Sequence, residues 1–131
     1  MNRYIAEVIA AHVDIENWLN QGEGSADALM RRFSPDFTMI PINGMRMDHQ
    51  AVSAFFHGAR ASRPGLKIVV DSAVILAEWC DGAAVSYRET HALPGKAETA
   101  RWSTVLFRLQ EEKIIWRHLH EIGRASCRER V

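Results

Sequence analysis

The second half of the chain alternates apolar and polar residues over four stretches, which short turns separate. The stretches cover residues 66–79, 83–91, 97–109 and 114–122. A period of two is typical of strands whose two faces meet different surroundings. Asp81-Gly82 is a strong hairpin signal, Pro94-Gly95 suits a turn, and Glu111-Glu112 lies in a charged turn. The pattern predicts four consecutive antiparallel strands.

The first half of the chain repeats apolar residues at spacings of three and four, the period of a helix with one buried face. It predicts a helix over about residues 2–21, which Gly22 ends. Ser25 and Asp48 suit the N-caps of two more helices, over residues 26–33 and 49–61. Between these helices we predict a strand over 37–42 and a short partner over 45–47. The three helices are expected to cover one face of the sheet.

The composition is that of a globular protein. With 131 residues and 47% hydrophobic residues, the chain suits one domain with a core that needs no disulfide. No apolar run approaches the 18 or so residues of a membrane span, and the N-terminus lacks the pattern of a secretory signal. We therefore expect a cytoplasmic protein that does not contact membranes.

The last nine residues, 123–131, resemble the read-through tail of a cloning vector, so we predict a domain over residues 1–122. Removing three arginines and one glutamate of this tail from the 16 basic and 16 acidic residues leaves a net charge of −2. A mildly acidic body gives no electrostatic basis for binding nucleic acid. The tail also holds Cys127, and Cys80 alone makes neither a disulfide nor a metal site.

Three short sequence motifs are similar to those of a known family: WLNQG at 18–22, FSPDF at 33–37 and IWRHLHE at 115–121. With the order of the elements, they make residues 3–122 resemble the NTF2-like superfamily and its bacterial SnoaL-like and DUF4440-type members. The resemblance implies an α+β cone, a cystatin-like roll in which three N-terminal helices pack on a curved antiparallel sheet. It also implies a pocket between helices and sheet, and a homodimer.

The resemblance does not imply one activity, since such proteins include isomerases, dehydratases, epoxide hydrolases, cyclases and noncatalytic binders. The ketosteroid-isomerase branch uses a tyrosine late in the first helix and an aspartate base near the first strand. Those places fall near Ile15 and at Ile40 or Pro41 in this sequence. None of these side chains donates or removes a proton, so the isomerase residues are missing.

Strand pairing sorts the side chains of the sheet into two faces. The turns predict that Glu89 lies opposite Arg101 and Tyr87 opposite Ser103. They also pair Trp116 with Phe107, His118 with Val105 and His120 with Ser103. The face predicted to line the pocket comprises Val85, Tyr87, Glu89, His91, Arg101, Ser103, Val105, Phe107, Trp116, His118, His120 and Ile122. The other face, with Trp102, Leu106, Leu119 and Glu121, suits solvent or a dimer contact.

Apolar walls with a few polar groups are typical of a ligand pocket. We predict that the ligand-binding residues are His12, Trp18, Phe55, Tyr87, Glu89, Arg101, Ser103 and Trp116. Arg101 suits the carboxylate of a ligand, or else forms a structural ion pair with Glu89. His12, on the apolar stripe of the first helix, is either a hydrogen-bonded core residue or a polar group of the pocket.

His118 and His120 are two residues apart and are therefore expected on one face. We predict that they are the catalytic residues if the protein is an enzyme, with one of them acting as a base through water. The alternatives are pocket-lining histidines or a metal pair completed by His91 or Glu89. Since no other His or Cys spacing supports a metal site, we predict neither a metal nor a cofactor.

Three functions remain open at this point. The first is a small-molecule-binding protein whose ligand the sequence does not identify. The second is a SnoaL-like lyase, isomerase or hydrolase that uses a pocket histidine. The third is an interaction module that forms a homodimer through the outer face of the sheet.

Overall fold

The structure is a computed structural model that describes residues 1–123. Its three helices are α1 (Arg3–Gln21), α2 (Ala26–Met30) and α3 (His49–His57). As predicted, the side chains of Ser25 and Asp48 cap α2 and α3, and Gly22 ends α1 with a φ of 72°. Within the described residues, no helix combines the length and apolar character needed to span a membrane.

In the described part of the chain, six strands form one sheet. They are β1 (Phe33–Ile40), β2 (Met47–Asp48), β3 (Lys67–Trp79), β4 (Gly82–Ala92), β5 (Thr99–Gln110) and β6 (Lys113–Gly123). Their order is β2-β1-β6-β5-β4-β3, and only the β1–β6 pair among them is parallel. The α+β class, with helices packed on a curved and mostly antiparallel sheet, is confirmed.

Several predicted boundaries were wrong for reasons that lie outside the local sequence. Helix α2 was predicted to reach residue 33, but Phe33 instead begins β1 and pairs with Trp116 of β6. The Trp116 backbone N–H donates to the Arg32 carbonyl at 2.8 Å, so pairing between distant segments ends the helix early. At the other end, Gly123 belongs to β6, and residues 124–131 of the predicted tail lie outside the described part of the chain.

The helices cover the inner face of the sheet, where the core lies. Tyr4 and Val8 of α1 are fully buried, and the Tyr4 ring stacks on Phe107 at 5.7 Å between centroids. The Trp116 ring packs edge-on against Phe107 at 4.9 Å. The aromatic residues of α1, β5 and β6 thus fill one end of the interior. Their packing is favourable because it removes apolar surface from water.

The predicted register between β4 and β5 is confirmed. Glu89 lies opposite Arg101, and Tyr87 lies opposite Ser103. Tyr87, Glu89 and Ser103 are all buried, whereas Arg88 and Trp102 are exposed. The inner and outer faces of these two strands are therefore those that the alternation predicted.

The register between β5 and β6 changes part-way, and one prediction fails there. Phe107 pairs with Trp116 as predicted, but Leu106 pairs with His118, so Arg117 is an extra residue in β6. Such a β-bulge reverses the facing of every residue beyond it. The predicted inward positions of His118, His120 and Ile122 were wrong, and they lie on the outer face. The inner face instead receives Leu119 and Glu121, which pair with Val105 and Ser103.

Candidate functional site

A buried polar cluster occupies the inner face of the sheet beneath α1. At its centre, the His12 side chain of α1 reaches Glu89 of β4, with 3.0 Å between Nε2 and Oε1. The other ring nitrogen, Nδ1, lies 2.7 Å from the Val8 carbonyl oxygen. Because a carbonyl and a carboxylate only accept hydrogen bonds, both nitrogens of His12 carry protons. Burial opposes this charge, but the Glu89 carboxylate outweighs burial and raises the pKa of His12.

Glu89 is bonded by two histidines at once. Its second oxygen, Oε2, accepts a hydrogen bond from Nε2 of His91, two residues along β4. Burial alone would raise the pKa of Glu89, but the bonds from His12 and His91 lower it far below the ordinary value. Glu89 is therefore a permanent anion that orients two imidazole rings, and it is a poor general base.

Arg101 faces a second carboxylate. Although it lies opposite Glu89 in the sheet, its ion pair is with Glu121 of β6, at 3.7 Å between NH1 and Oε1. Burial and the negative charge of Glu89 raise the pKa of Glu121 to about 7, although Arg101 acts against them. Glu121 thus gains or loses a proton near neutral pH, as acid–base groups at functional sites do.

Four polar atoms of this region are buried without a hydrogen-bond partner among residues 1–123. They are the Tyr87 hydroxyl, the Ser103 hydroxyl, Nδ1 of His91 and Nε of Arg101. Tyr87 is fully buried and Ser103 is 1% exposed. Burial raises the pKa of Tyr87 well above its ordinary value, so its hydroxyl keeps its proton and remains a donor.

We refer to these side chains together as the interior cluster. Its members are His12, Tyr87, Glu89, His91, Arg101, Ser103 and Glu121. Five of them were predicted to bind ligand, and His91 was predicted on the inner face without that role. Glu121 was assigned to the wrong face, because nothing in the sequence RHLHE marks the bulge that turns it inward.

The remaining predicted ligand-binding residues have different surroundings. Trp116 is close, with its ring centroid 6.1 Å from that of His12, and its Nε1 donates to Glu7 at 2.9 Å. Trp18 donates to the Phe56 carbonyl at 2.8 Å and so ties α1 to α3. Phe55 is 48% exposed on α3. Trp116 thus lines the interior beside His12, whereas Trp18 and Phe55 belong to the layer of helices.

The two histidines predicted to be catalytic lie on the far side of the sheet from the interior cluster. Nδ1 of His118 shares a hydrogen bond with the Thr38 hydroxyl at 2.8 Å, and His120 is exposed. Burial and the positive charges of His120 and Arg117 lower the pKa of His118. Within residues 1–123, no three His, Cys, Asp or Glu side chains are placed to hold a metal ion. A catalytic role of His118 or His120 stays a prediction without support from their surroundings.

A surface cleft of about 440 Å³ lies where the loop before β3 meets the turn after β4. Its lining includes Arg63, Leu93 and Lys96. Leu93 follows His91 by two residues, so the cleft opens near the end of β4 that carries part of the interior cluster.

Comparisons with known proteins agree with this architecture. An NTF2-like protein of unknown function from Pseudomonas aeruginosa has 36% identity and a TM-score of 0.89, and the match covers 93% of this chain and 98% of that one. An NTF2-like protein of unknown function from Pseudomonas putida KT2440 has 12% identity and a TM-score of 0.66, covering 82% and 78%.

The association domain of C. elegans CaMKII has 12% identity and a TM-score of 0.72, covering 92% of this chain and 93% of that one. No family model and no curated protein sequence matches the chain. The finer assignment to SnoaL-like or DUF4440-type proteins stays a prediction. The match to the P. aeruginosa protein, at 36% identity over nearly the whole of both chains, shows that the chain belongs to the NTF2-like family.

Proposed function

We propose that this protein binds a small carboxylate at the interior cluster. The observation that carries the proposal is the set of four buried polar atoms that have no hydrogen-bond partner among residues 1–123, on adjacent strands and on one face. Buried polar groups are nearly always hydrogen-bonded, and leaving one unpaired costs roughly 1–3 kcal/mol. A ligand that supplies the missing partners removes this cost.

The chemistry of the four atoms favours an anion with acceptor oxygens. Nε of Arg101 only donates. The hydroxyls of Tyr87 and Ser103 face each other across β4 and β5 close enough to interact, and the protonated Tyr87 hydroxyl can still donate to the same group. A planar guanidinium suits the geometry of a carboxylate. Glu89 is already bonded to His12 and His91, and among residues 1–123 the ion pair of Arg101 is with Glu121, at 3.7 Å.

The binding test uses isothermal titration calorimetry with acetate, propionate, lactate and butyrate, in chloride buffer at constant ionic strength. We expect Arg101→Gln to weaken binding at least about tenfold, because a charge-assisted contact is lost. Arg88→Gln is the matched control, since Arg88 lies on the neighbouring strand but pairs with Asp71 on the outer face. Heat from none of the four acids, or an equal loss in both variants, would contradict the proposal.

An enzyme of the SnoaL-like type is the second candidate, and one observation favours it. The pKa of Glu121, about 7, lets this carboxyl exchange a proton with a bound molecule at neutral pH. If the protein is an enzyme that uses Glu121, we expect Glu121→Gln to abolish activity while the affinity for carboxylates stays within a few fold of that of the parent. A binding protein would show only the change in affinity.

We also propose a homodimer through the outer face of the sheet, with a second copy of this chain as the partner. Trp102 and Ile122 pair across β5 and β6 and are 50% and 64% exposed, and Leu106 and Val74 extend the apolar surface. Exposed apolar patches of this kind are typical of protein interfaces. The C. elegans neighbour is named an association domain of CaMKII, and this name supports assembly in general as a use of the fold.

We expect Trp102→Asp to convert a dimer into a monomer, because it places a charge in an apolar contact, while binding of carboxylates is retained. The measurement is size-exclusion chromatography with light scattering at several protein concentrations. Val13→Asp is the control, since Val13 is exposed on α1 and outside this surface. A parent protein that stays monomeric, or a Trp102→Asp variant that stays dimeric, would exclude this interface.

A further inference from the structure

The two ring nitrogens of His91 have different surroundings. Nε2 faces the Glu89 carboxylate, which only accepts a hydrogen bond, so this nitrogen carries a proton. In the neutral ring, Nδ1 therefore keeps its lone pair and is an acceptor. It is buried and has no partner among the described residues. The ring is thus held by Glu89 with an acceptor directed away from that carboxylate.

The other three unpartnered atoms of the interior cluster can all donate. Arg101 lies directly opposite Glu89, and His91 is two residues along the same face of β4. Neighbouring side chains on one face of a sheet are about 5–7 Å apart. Nδ1 of His91 and the Arg101 guanidinium occupy neighbouring positions on this face, so one small molecule can contact both, whereas Tyr87 and Ser103 lie one pair further along the strands.

We infer that the ligand is a short hydroxycarboxylic acid. Its carboxylate accepts from Arg101, and its hydroxyl donates to Nδ1 of His91. This inference rests on the proposed carboxylate site. It adds a contact by which the site would select acids that carry a hydroxyl group. A site that hydrogen-bonds a hydroxyl group rejects the analogue without it, because the buried partner is then left unpaired.

The experiment compares acids that differ by one hydroxyl group: lactate with propionate, and 3-hydroxybutyrate with butyrate. Calorimetry on the parent protein is expected to show at least a tenfold tighter dissociation constant for the hydroxy acid of one pair or both. In His91→Leu, which lacks the acceptor, the two acids of a pair should bind within about twofold of each other. Arg101→Gln should weaken both acids alike and preserve their ratio.

His120→Leu is the matched control, since it removes the same ring from the outer face. Equal binding of both acids by the parent protein, or an unchanged ratio in His91→Leu, overturns the inference and leaves the carboxylate site standing. Failure of all four acids to bind overturns the carboxylate site as well.

A second measurement needs no variant. Nitrogen-15 spectra should show that the neutral ring of His91 in the free protein carries its proton on Nε2 and not on Nδ1. Addition of the preferred hydroxy acid should shift the Nδ1 resonance toward that of a hydrogen-bonded acceptor, and its counterpart without the hydroxyl should not. A neutral ring with its proton on Nδ1 in the free protein, or the same shift with both acids, overturns the inference.

Discussion

Glu89→Gln is expected to lower the free energy of unfolding by about 3 kcal/mol at pH 6, because breaking a buried ion pair typically costs about 3–5 kcal/mol. Glu89 is the buried counter-charge of His12 and also bonds His91. The neutral amide leaves an imidazolium in the core, and release of its proton recovers part of the loss. Urea unfolding followed by circular dichroism measures the change. Glu98→Gln, at an exposed position, is the control and should change stability by less than about 0.5 kcal/mol.

The pH dependence of this loss is set by both partners. Since the pKa of His12 is raised, its contribution is complete below its ordinary value of 6.5 and disappears as pH rises through the folded-state value. Since the pKa of Glu89 is lowered, its contribution is complete above 4.5 and disappears as pH falls through its folded-state value. The parent and Glu89→Gln should therefore differ most between about pH 4.5 and 6.5. A difference that keeps growing from pH 6.5 to 9 would contradict the ion pair.

Glu121→Gln is expected to have the opposite effect and to stabilise the protein at alkaline pH. The folded-state pKa of Glu121 is about 7 against an ordinary 4.5, so the folded chain binds more protons than the unfolded chain between these values. The stability of the parent therefore falls as pH rises across that range, by up to roughly 3 kcal/mol for one such group. The variant lacks this loss.

The measurement is the difference in unfolding free energy between Glu121→Gln and the parent at pH 4.5, 6, 7 and 8.5. The unfolding free energy of the variant should increase relative to that of the parent as pH rises, and the difference should level off above about pH 8. Glu98→Gln again provides the control, with a curve parallel to that of the parent. If the stability curves of Glu121→Gln and the parent are parallel, the pKa of Glu121 in the folded protein is not raised, and the prediction is wrong.

The sequence was sufficient for most of the fold because most of its signals are local. Period-two alternation and the Pro94-Gly95 turn place Glu89 opposite Arg101, which the structure confirms. The start of β1 at Phe33 was not accessible in this way, since it depends on parallel pairing with Trp116, more than 80 residues later. Propensity alone favours continuing the helix there, and the sheet overrides it.

In the candidate site, too, the features set by local sequence were predicted and those set by distant contacts were not. His12 was placed by helical spacing, and Tyr87, Glu89, Arg101 and Ser103 by alternation along two strands whose register one short turn sets. No turn sets the register beyond the bulge at Arg117, so every face assigned there was reversed. The bonds from His12 and His91 to Glu89 join different parts of the fold, and residue types alone did not reveal that Glu121 would replace Glu89 as the partner of Arg101.

The extra residue in β6 has a consequence for how the interior changes over evolutionary time. Deleting the codon for Arg117 would restore simple alternation, bring His118 and His120 inside and move Leu119 and Glu121 out. One three-nucleotide event thus replaces the interior carboxyl of Glu121 by two additional imidazoles, while Glu89, His12 and His91 stay inside. Alignments of NTF2-like chains therefore need to allow a one-residue gap at this position before interior residues are compared.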